Sequence, residues 1–356
     1  VAYIESELLA VEPLLQNKAT VGSGRLTQGG VWGLLARLYL NAPAYRNIQS
    51  TAFDFKADDM DKVILYTDKI INSGQYKLGA DYFSIFGNDN NNHEEHIFAV
   101  NQDPDLNGHN RMAYFSISGD QFPLAEFPQA NGTDGPGITS DFYQTWVEAY
   151  GAVDPTRDPR FYQENMRIYS NPADTCVVDA EYKINRGILR GQQYGALRVN
   201  GAFLRCPDGK LKVGRLGFVT RSLPNLMVNF TENIDFTTEG SAYASGYRVE
   251  KYEFSSVSNT GRNKGEADIV ILRLADIYLM RAEAKLRKSG DEASALADVN
   301  AIRAARTATT PAPALTSMNL DLLYRERGFE LYWEMVRRTD MIRFGKYELP
   351  WTEKTN

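Results

Sequence analysis

A chain of 356 residues is long enough to bury a large core, in one domain or two. Its net charge of −6 leaves it without the surplus of Lys and Arg that a general nucleic-acid binder uses to displace counterions. No run of about 18 apolar residues occurs, which excludes a predicted membrane-spanning helix.

In chain order, the first predicted element is an amphipathic helix from Val1, with Ile4, Leu8, Val11 and Leu15 at helical spacing. It has neither the basic start nor the apolar run of a signal peptide. A helix entered without a cap implies further chain upstream. The strongest early segment is Thr27 to Asn41, where Trp32, Leu35, Ala36 and Tyr39 share a face. The pattern W-x-x-L-A-x-x-Y matches the first helix of a tetratricopeptide (TPR) repeat. The small Ala36 admits a partner helix, and Trp32 and Tyr39 fill the groove beside it. That partner is predicted at Asp59 to Ser73, with Met60, Val63, Thr67 and Ile70 inward and Gly74 as a stop. An insertion over Ala42–Ala57 separates the two, so the repeat is not standard.

From Lys77 to Ala267 periodicity fades. Gly, Asn, Asp and Pro recur, and alternation survives only at His96–Val100, Arg215–Thr220 and Tyr247–Phe254, read as short strands or extended pieces. A long unpatterned stretch in a compact protein is usually functional or disordered, and its many aromatic residues argue against disorder. Cys176 and Cys206 are the only cysteines, both in loop-like surroundings. Two cysteines alone do not make a structural zinc site. A disulfide between them, in an oxidising compartment, is expected; the alternative is two unrelated buried thiols.

The last block, Asp268 to Lys346, is predicted as a helix over Ile271–Lys288, a Ser289-Gly290-Asp291 turn, a second helix with Ala295, Val299 and Ile302 inward, and a third from near Asn319 past Trp333. On the first of these Leu272, Ala275, Leu279, Ala282 and Leu286 form one stripe. The fold class is therefore mainly α, a TPR-like helical-repeat scaffold with a long loop-rich region containing short strands. We expect one domain over 1–356, made of a helical block (1–76), an irregular ligand-binding region (77–267), a helical block (268–346) and a tail (347–356).

Three segments together resemble the SusD/RagB family of outer-membrane nutrient-binding lipoproteins. They are Gly24-Arg25-Leu26-Thr27 leading into Trp32-Gly33-Leu34-Leu35-Ala36-Arg37-Leu38-Tyr39-Leu40, then Ile271 to Ala284, then Glu326-Arg327-Gly328-Phe329-Glu330-Leu331 through Arg337-Arg338-Thr339-Asp340-Met341-Ile342-Arg343-Phe344-Gly345. Asp154-Pro155 to Asp158-Pro159-Arg160 and Tyr247-Arg248-Val249-Glu250-Lys251-Tyr252 are also similar to family features. The resemblance implies a lipid-anchored protein on the extracellular face of the outer membrane of Bacteroidetes, its anchor upstream of this chain. It implies capture of oligosaccharide or polysaccharide and delivery to a TonB-dependent, SusC-like transporter, with no catalysis and no cofactor. A peptide ligand, as for some members of such a family, and a TPR-like protein adaptor are the other readings.

Candidate ligand contacts are aromatic residues beside polar amides in the middle region, because a sugar ring stacks an apolar face on Trp or Tyr while its hydroxyls seek polar partners. Asn131, Asp134, Tyr143, Trp146 and Tyr150 lie close in sequence, and Tyr114 and Tyr194 stand in polar, Gly-containing surroundings. For Trp146 the competing reading is the buried stripe of a short helix. Glu326, Arg327, Glu330 and Arg338, like Arg273, Asp276, Arg281 and Glu283, are read as ion pairs between helices rather than an acid/base site. His93 and His96, with His109 nearby, are not expected to hold a metal, since positions three apart on a strand face opposite ways. No G-x-S-x-G elbow or phosphate-binding glycine loop is present.

Overall fold

The computed structural model describes residues 1–50, 52–103, 112, 137–165, 175–200, 202–217, 227–234, 245–253 and 265–350. Its α-helices are α1 (Ala2–Val11), α2 (Lys18–Val21), α3 (Gln28–Leu40), α4 (Ala42–Arg46), α5 (Ala57–Asn72), α6 (Ser140–Tyr150), α7 (Leu274–Ser289), α8 (Glu292–Ala305), α9 (Leu320–Leu331) and α10 (Arg337–Arg343). With the short strands between them, they make a mainly helical fold. The chain divides into two compact units. One takes Val1–Ile85, Asn90–Asn101 and Ile269–Pro350; the other is drawn from Phe86–Asp89 and Gln102–Asp268. The helical blocks at the two ends of the chain thus share one unit, and the boundary at Asp268 falls where the periodicity resumes.

In the first unit α3 is capped by Thr27, whose hydroxyl accepts the Gly30 N–H at 3.1 Å. Leu35, Ala36 and Tyr39 of α3 pack on Met60, Val63 and Ile70 of α5, all buried. At Gly33 the helix packs closely: a Cβ would stand 2.9 Å from the Leu272 Cδ1 methyl, which would have to shift. Helix α7 is buried on two sides. Ile277, Met280 and Ala284 join the α3–α5 core, while Ala275, Leu279, Ala282 and Leu286 face Ala295, Val299 and Ile302 of α8.

Several predicted boundaries move. The first helix ends at Val11, where Glu12-Pro13-Leu14 tightens into a 3-10 turn; Ile4 is half exposed, while Leu8, Val11 and Leu15 touch the core. Ile269–Arg273 is a strand, antiparallel to His96–Val100, and α7 begins only at Leu274. The third helix stops at Leu331 rather than passing Trp333, since Trp333 and Met335 both adopt φ of +62°. Such backbone costs roughly 1–3 kcal/mol for a residue with a Cβ. It swings Glu334 onto Arg273, which it grips at 2.8 Å through both oxygens.

That grip belongs to a buried cage. Arg273 also reaches Glu95 and Glu330 at 2.7 Å each, and Arg306 reaches Glu95 at 2.7 Å and Glu330 at 2.6 Å. Tyr82 donates to the Glu330 carbonyl at 2.7 Å, with both guanidiniums near its ring. A second network runs Arg37–Asp276–Arg327–Asp340–Arg343–Glu283–Arg287, joining α3, α7, α9 and α10. Arg303 holds Glu326 at 2.9 Å, and Arg281 pairs with Asp68 and Asp298. The motif carboxylates and arginines therefore bind element to element. Arg338 is different: it is exposed and lies over the Tyr347 ring at 5.4 Å.

Burial acts to raise the Glu95 carboxyl, but Arg306 and Arg273 override it and hold it at about 2. Asp276, beside Arg327 and Arg37, and Glu283, beside Arg343 and Arg287, are likewise held at about 2. Truncating Arg273→Ala strands three buried carboxylates and should cost about 3–5 kcal/mol in urea unfolding, or abolish folding. Asp61→Ala, which breaks an exposed pair with Lys288, should cost less than about 1 kcal/mol in the same assay.

His96 predicts a pH dependence. Its Nε2 lies 2.9 Å from the Ile85 carbonyl, and burial pushes the imidazole down to about 3, helped by His93. Between pH 6.5 and 3 the unfolded chain binds a proton that the folded chain refuses, so stability falls as pH drops. The limiting slope is about 1.4 kcal/mol per pH unit for one such group. The depressed carboxylates add their own loss below the usual Glu value of 4.5, complete near 2. Urea midpoints at pH 7, 6, 5 and 4 should decline throughout, and His96→Gln should flatten the decline between pH 6.5 and 5.

Candidate functional site

The second unit places most of the described residues expected to touch ligand around one short sheet. Its four strands run in the order Gly137–Ile138, Tyr247–Glu250, Arg186–Leu189, Tyr162–Gln163. Of the expected strand at Tyr247–Phe254 the part Tyr247–Glu250 is a strand; a strand at Leu211–Arg215 reaches the start of the one expected at Arg215–Thr220, whose residues 218–220 lie outside the described residues. Helix α6 starts at a Thr139 cap and ends at Gly151, which adopts φ of +58°.

On α6, Tyr143 and Trp146 face inward. Trp146 is fully buried, edge-on to Phe161 with ring centroids 5.1 Å apart and stacked on Tyr150 at 6.5 Å. The structure therefore places its ring in the core of the unit. Tyr150 is half-buried and donates its hydroxyl to Asp158. Asp158 also accepts from the Arg160 side chain at 2.9 and 2.6 Å, in a motif with both members buried. Tyr143 is nearly buried but keeps its hydroxyl at the edge, 3.1 Å from Arg190 Nη1. Tyr194 is half-buried on a separate three-stranded sheet, opposite Arg215. Asn131, Asp134 and Tyr114 lie outside the described residues.

Sequence reasoning missed Arg190. It follows the strand Arg186–Leu189, with its guanidinium 4.9 Å from the Phe161 ring centroid and 5.8 Å from that of Tyr143. Asp154 Oδ1 fixes it from the other side at 3.0 Å. Partial burial acts to raise the Asp154 carboxyl, but the Thr156 amide and Arg190 hold it below the usual range. Tyr247 stands edge-on to Tyr143 at 4.9 Å, and Tyr162 packs on the same small core of Leu189, Leu216, Val228 and Phe230. Burial pushes the Tyr162 hydroxyl up to about 12, so it stays protonated. At the rim, Gln144 donates to Glu232. The sequence signals for this set were Tyr143, the Asp154–Arg160 motif and the Tyr247–Tyr252 phrase, whereas Arg190 and Tyr162 carry no local pattern.

The result is a partly exposed patch in which aromatic rings back a guanidinium and a carboxylate. Rings accept the apolar face of a flat, polyhydroxylated ligand; the guanidinium fork donates to hydroxyls and Asp154 accepts from them. Among the described residues, which do not include His109, a metal is poorly served. His96 turns Nε2 to a carbonyl, and His93 uses Nδ1 on the Glu95 N–H and Nε2 on Ser84. Cys176 and Cys206 are joined in a disulfide and offer no thiolate to the neighbouring Asp208. The bridge spans 30 positions and ties the three-stranded sheet.

Trp146→Ala should lower the stability of this unit by about 3–5 kcal/mol, as expected for a buried aromatic ring. Cys176→Ser with Cys206→Ser should lower it by about 3–4 kcal/mol on loop entropy. Hydrogen exchange should localise both losses to residues within 137–253.

A sequence model of the SusD family matches residues 82–356. The chain is 25% identical over 358 residues to the starch-binding protein SusD of Bacteroides thetaiotaomicron, covering 97% of this chain and 56% of that protein. It therefore spans little more than half the length of that relative. Among solved structures, a SusD superfamily protein from Parabacteroides distasonis superposes with a TM-score of 0.58 at 19% identity, over 95% of this chain and 56% of that one. A structure described with xylogluco-oligosaccharide superposes with a TM-score of 0.55 at 19% identity, over 96% and 56%.

Proposed function

The chain belongs to the SusD family, and on that premise we propose that it captures oligosaccharide or polysaccharide at the cell surface and passes it to a TonB-dependent, SusC-like transporter. In this reading it sits on the extracellular face of the outer membrane, held by a lipid anchor upstream of residue 1, and performs no catalysis. The stretch 1–356 acts as one SusD-like binding module. The pairs α3–α5 and α7–α8 serve as TPR-like hairpins that form its frame.

The observation that carries the reading is the patch of Arg190, Asp154, Tyr143, Tyr162 and Tyr247. It pairs the partly buried rings of Tyr162 and Tyr247 with a fixed guanidinium, the chemistry that suits a sugar ring and its hydroxyls. The relative named for starch binding and the structure described with xylogluco-oligosaccharide support the same ligand class. Tyr143 and Tyr150 contribute to this patch, the first through its hydroxyl and the second through Asp158. Trp146 acts from beneath as its support, and Asn131, Asp134, Tyr114 and Tyr194 are further proposed contacts.

A glycan array followed by calorimetry tests the proposal. The intact protein should bind at least one glycan class and release no new reducing ends. Arg190→Ala should weaken binding at least tenfold, about 1.4 kcal/mol, with the far-UV circular dichroism unchanged. Binding to peptides alone would favour a peptide-capturing member of the family. Affinity for a protein partner without any small ligand would favour the adaptor.

A further inference from the structure

The insertion between α3 and α5 has no part in the patch of the second unit, yet it is costly to expose. Helix–helix connections usually run about 2–8 residues. This one extends from Asn41 to Lys56 and leaves Tyr45 52% and Ile48 84% exposed. Isolated exposed apolar residues are common, but here they converge on a groove of ≈ 450 Å³ in the first unit. Tyr45, Ile48 and Phe53 from the insertion form one side, with Ile342 and Tyr347 facing them. The volume lies within the range of small-ligand sites.

The groove is shaped rather than incidental. Its floor is Asn41, fully engaged: Nδ2 donates to the Arg37 carbonyl at 2.8 Å and Oδ1 accepts from Arg343 at 2.9 Å. The floor is thus clamped into the second buried ion network. The opposite wall is set by Gly345, which ends α10 at φ of +67° and turns the chain toward Tyr347. Arg338 lies over that ring at 5.4 Å. Around the apolar walls stand the exposed polar side chains of Gln49, Thr339 and Glu348.

Aromatic rings with an amide, a hydroxyl and a carboxylate at the rim make an amphipathic lining. A purely apolar ligand would leave that rim unused, and a strongly anionic one would meet Glu348. We propose that this groove is a second carbohydrate site, taking a short stretch of neutral oligosaccharide independently of the patch around Arg190. The proposal shares the glycan reading advanced above but assigns it to residues of the other unit. A rigid floor lowers the ordering cost of such a site.

Isoleucine-methyl NMR tests it, because Ile48 and Ile342 line the groove. Maltoheptaose and a xyloglucan oligosaccharide are titrated into the intact protein and into Arg190→Ala. The Ile48 and Ile342 methyls should shift saturably with at least one of them, in both proteins alike. Tyr45→Ala, at a half-exposed position that leaves the core intact, should weaken that response at least tenfold, and Tyr347→Ala should do the same. If calorimetry detects oligosaccharide binding while both methyls stay still, the groove proposal fails and the reading of the Arg190 patch stands. Should the methyls shift equally in the Tyr45 and Tyr347 variants, the assignment to this groove is likewise overturned. A negative glycan array together with unmoved methyls overturns both.

Discussion

The guanidinium of Arg273 gathers three carboxylates, Glu95 from early in the chain and the neighbouring Glu330 and Glu334 from its end, and Arg306 closes the cage from α8's end. Such a buried cluster adds little net stability over well-packed apolar residues, but breaking it is expensive. Its consequence is therefore selective: any packing that leaves one member without its partner is heavily disfavoured. The antiparallel register sets Arg273 opposite His96 and so beside Glu95. The strained turn after α9 brings Glu334 to the same point. Strand, turn and helix ends from both termini of the chain are thereby held to a single arrangement.

The helical pairs were legible because each carries its own 3.6-residue period and a small residue at its contact, Ala36 on α3 and Ala282 on α7. The start of α7 was misread for the same reason. Ile271 and Leu272 continue the helical stripe on paper, yet their backbone pairs with Val100's strand, and no local signal reveals a partner about 170 positions away. Past Leu331 the sequence Tyr-Trp-Glu-Met still favours helix. Tertiary demand for Glu334 at Arg273 overrides that preference. The ion-pair assignment of the motif residues needed only their charge and spacing, and all of them except Arg338 make such pairs.

The site was less legible. Trp146 attracted notice as the lone tryptophan of the middle region, but a helix bounded by Thr139 and Gly151 turns that position into the core. What reaches the surface is decided by strand order: Gly187 pairs with both Tyr162 and Glu250, and this sets Tyr162, Tyr247 and Arg190 around Tyr143. Those residues are dispersed over about 100 positions, so no sequence window contains them.

Charge placement in the first unit also bears on chemistry. A general acid must hold a proton near working pH and release it in the transition state. Glu95, Asp276 and Glu283 are kept ionised by arginines down to a pH of about 2, so none is suited to protonate a leaving group. In the second unit Asp158 is committed to Arg160 and Tyr150, and Asp154 is tuned toward the carboxylate form. In the proposed reading, this patch would bind hydroxyls through Arg190 and Asp154. A half-open patch also buries less of its ligand than an enclosed pocket does, which favours fast release. On the capture function proposed above, such release would let a bound sugar be passed on.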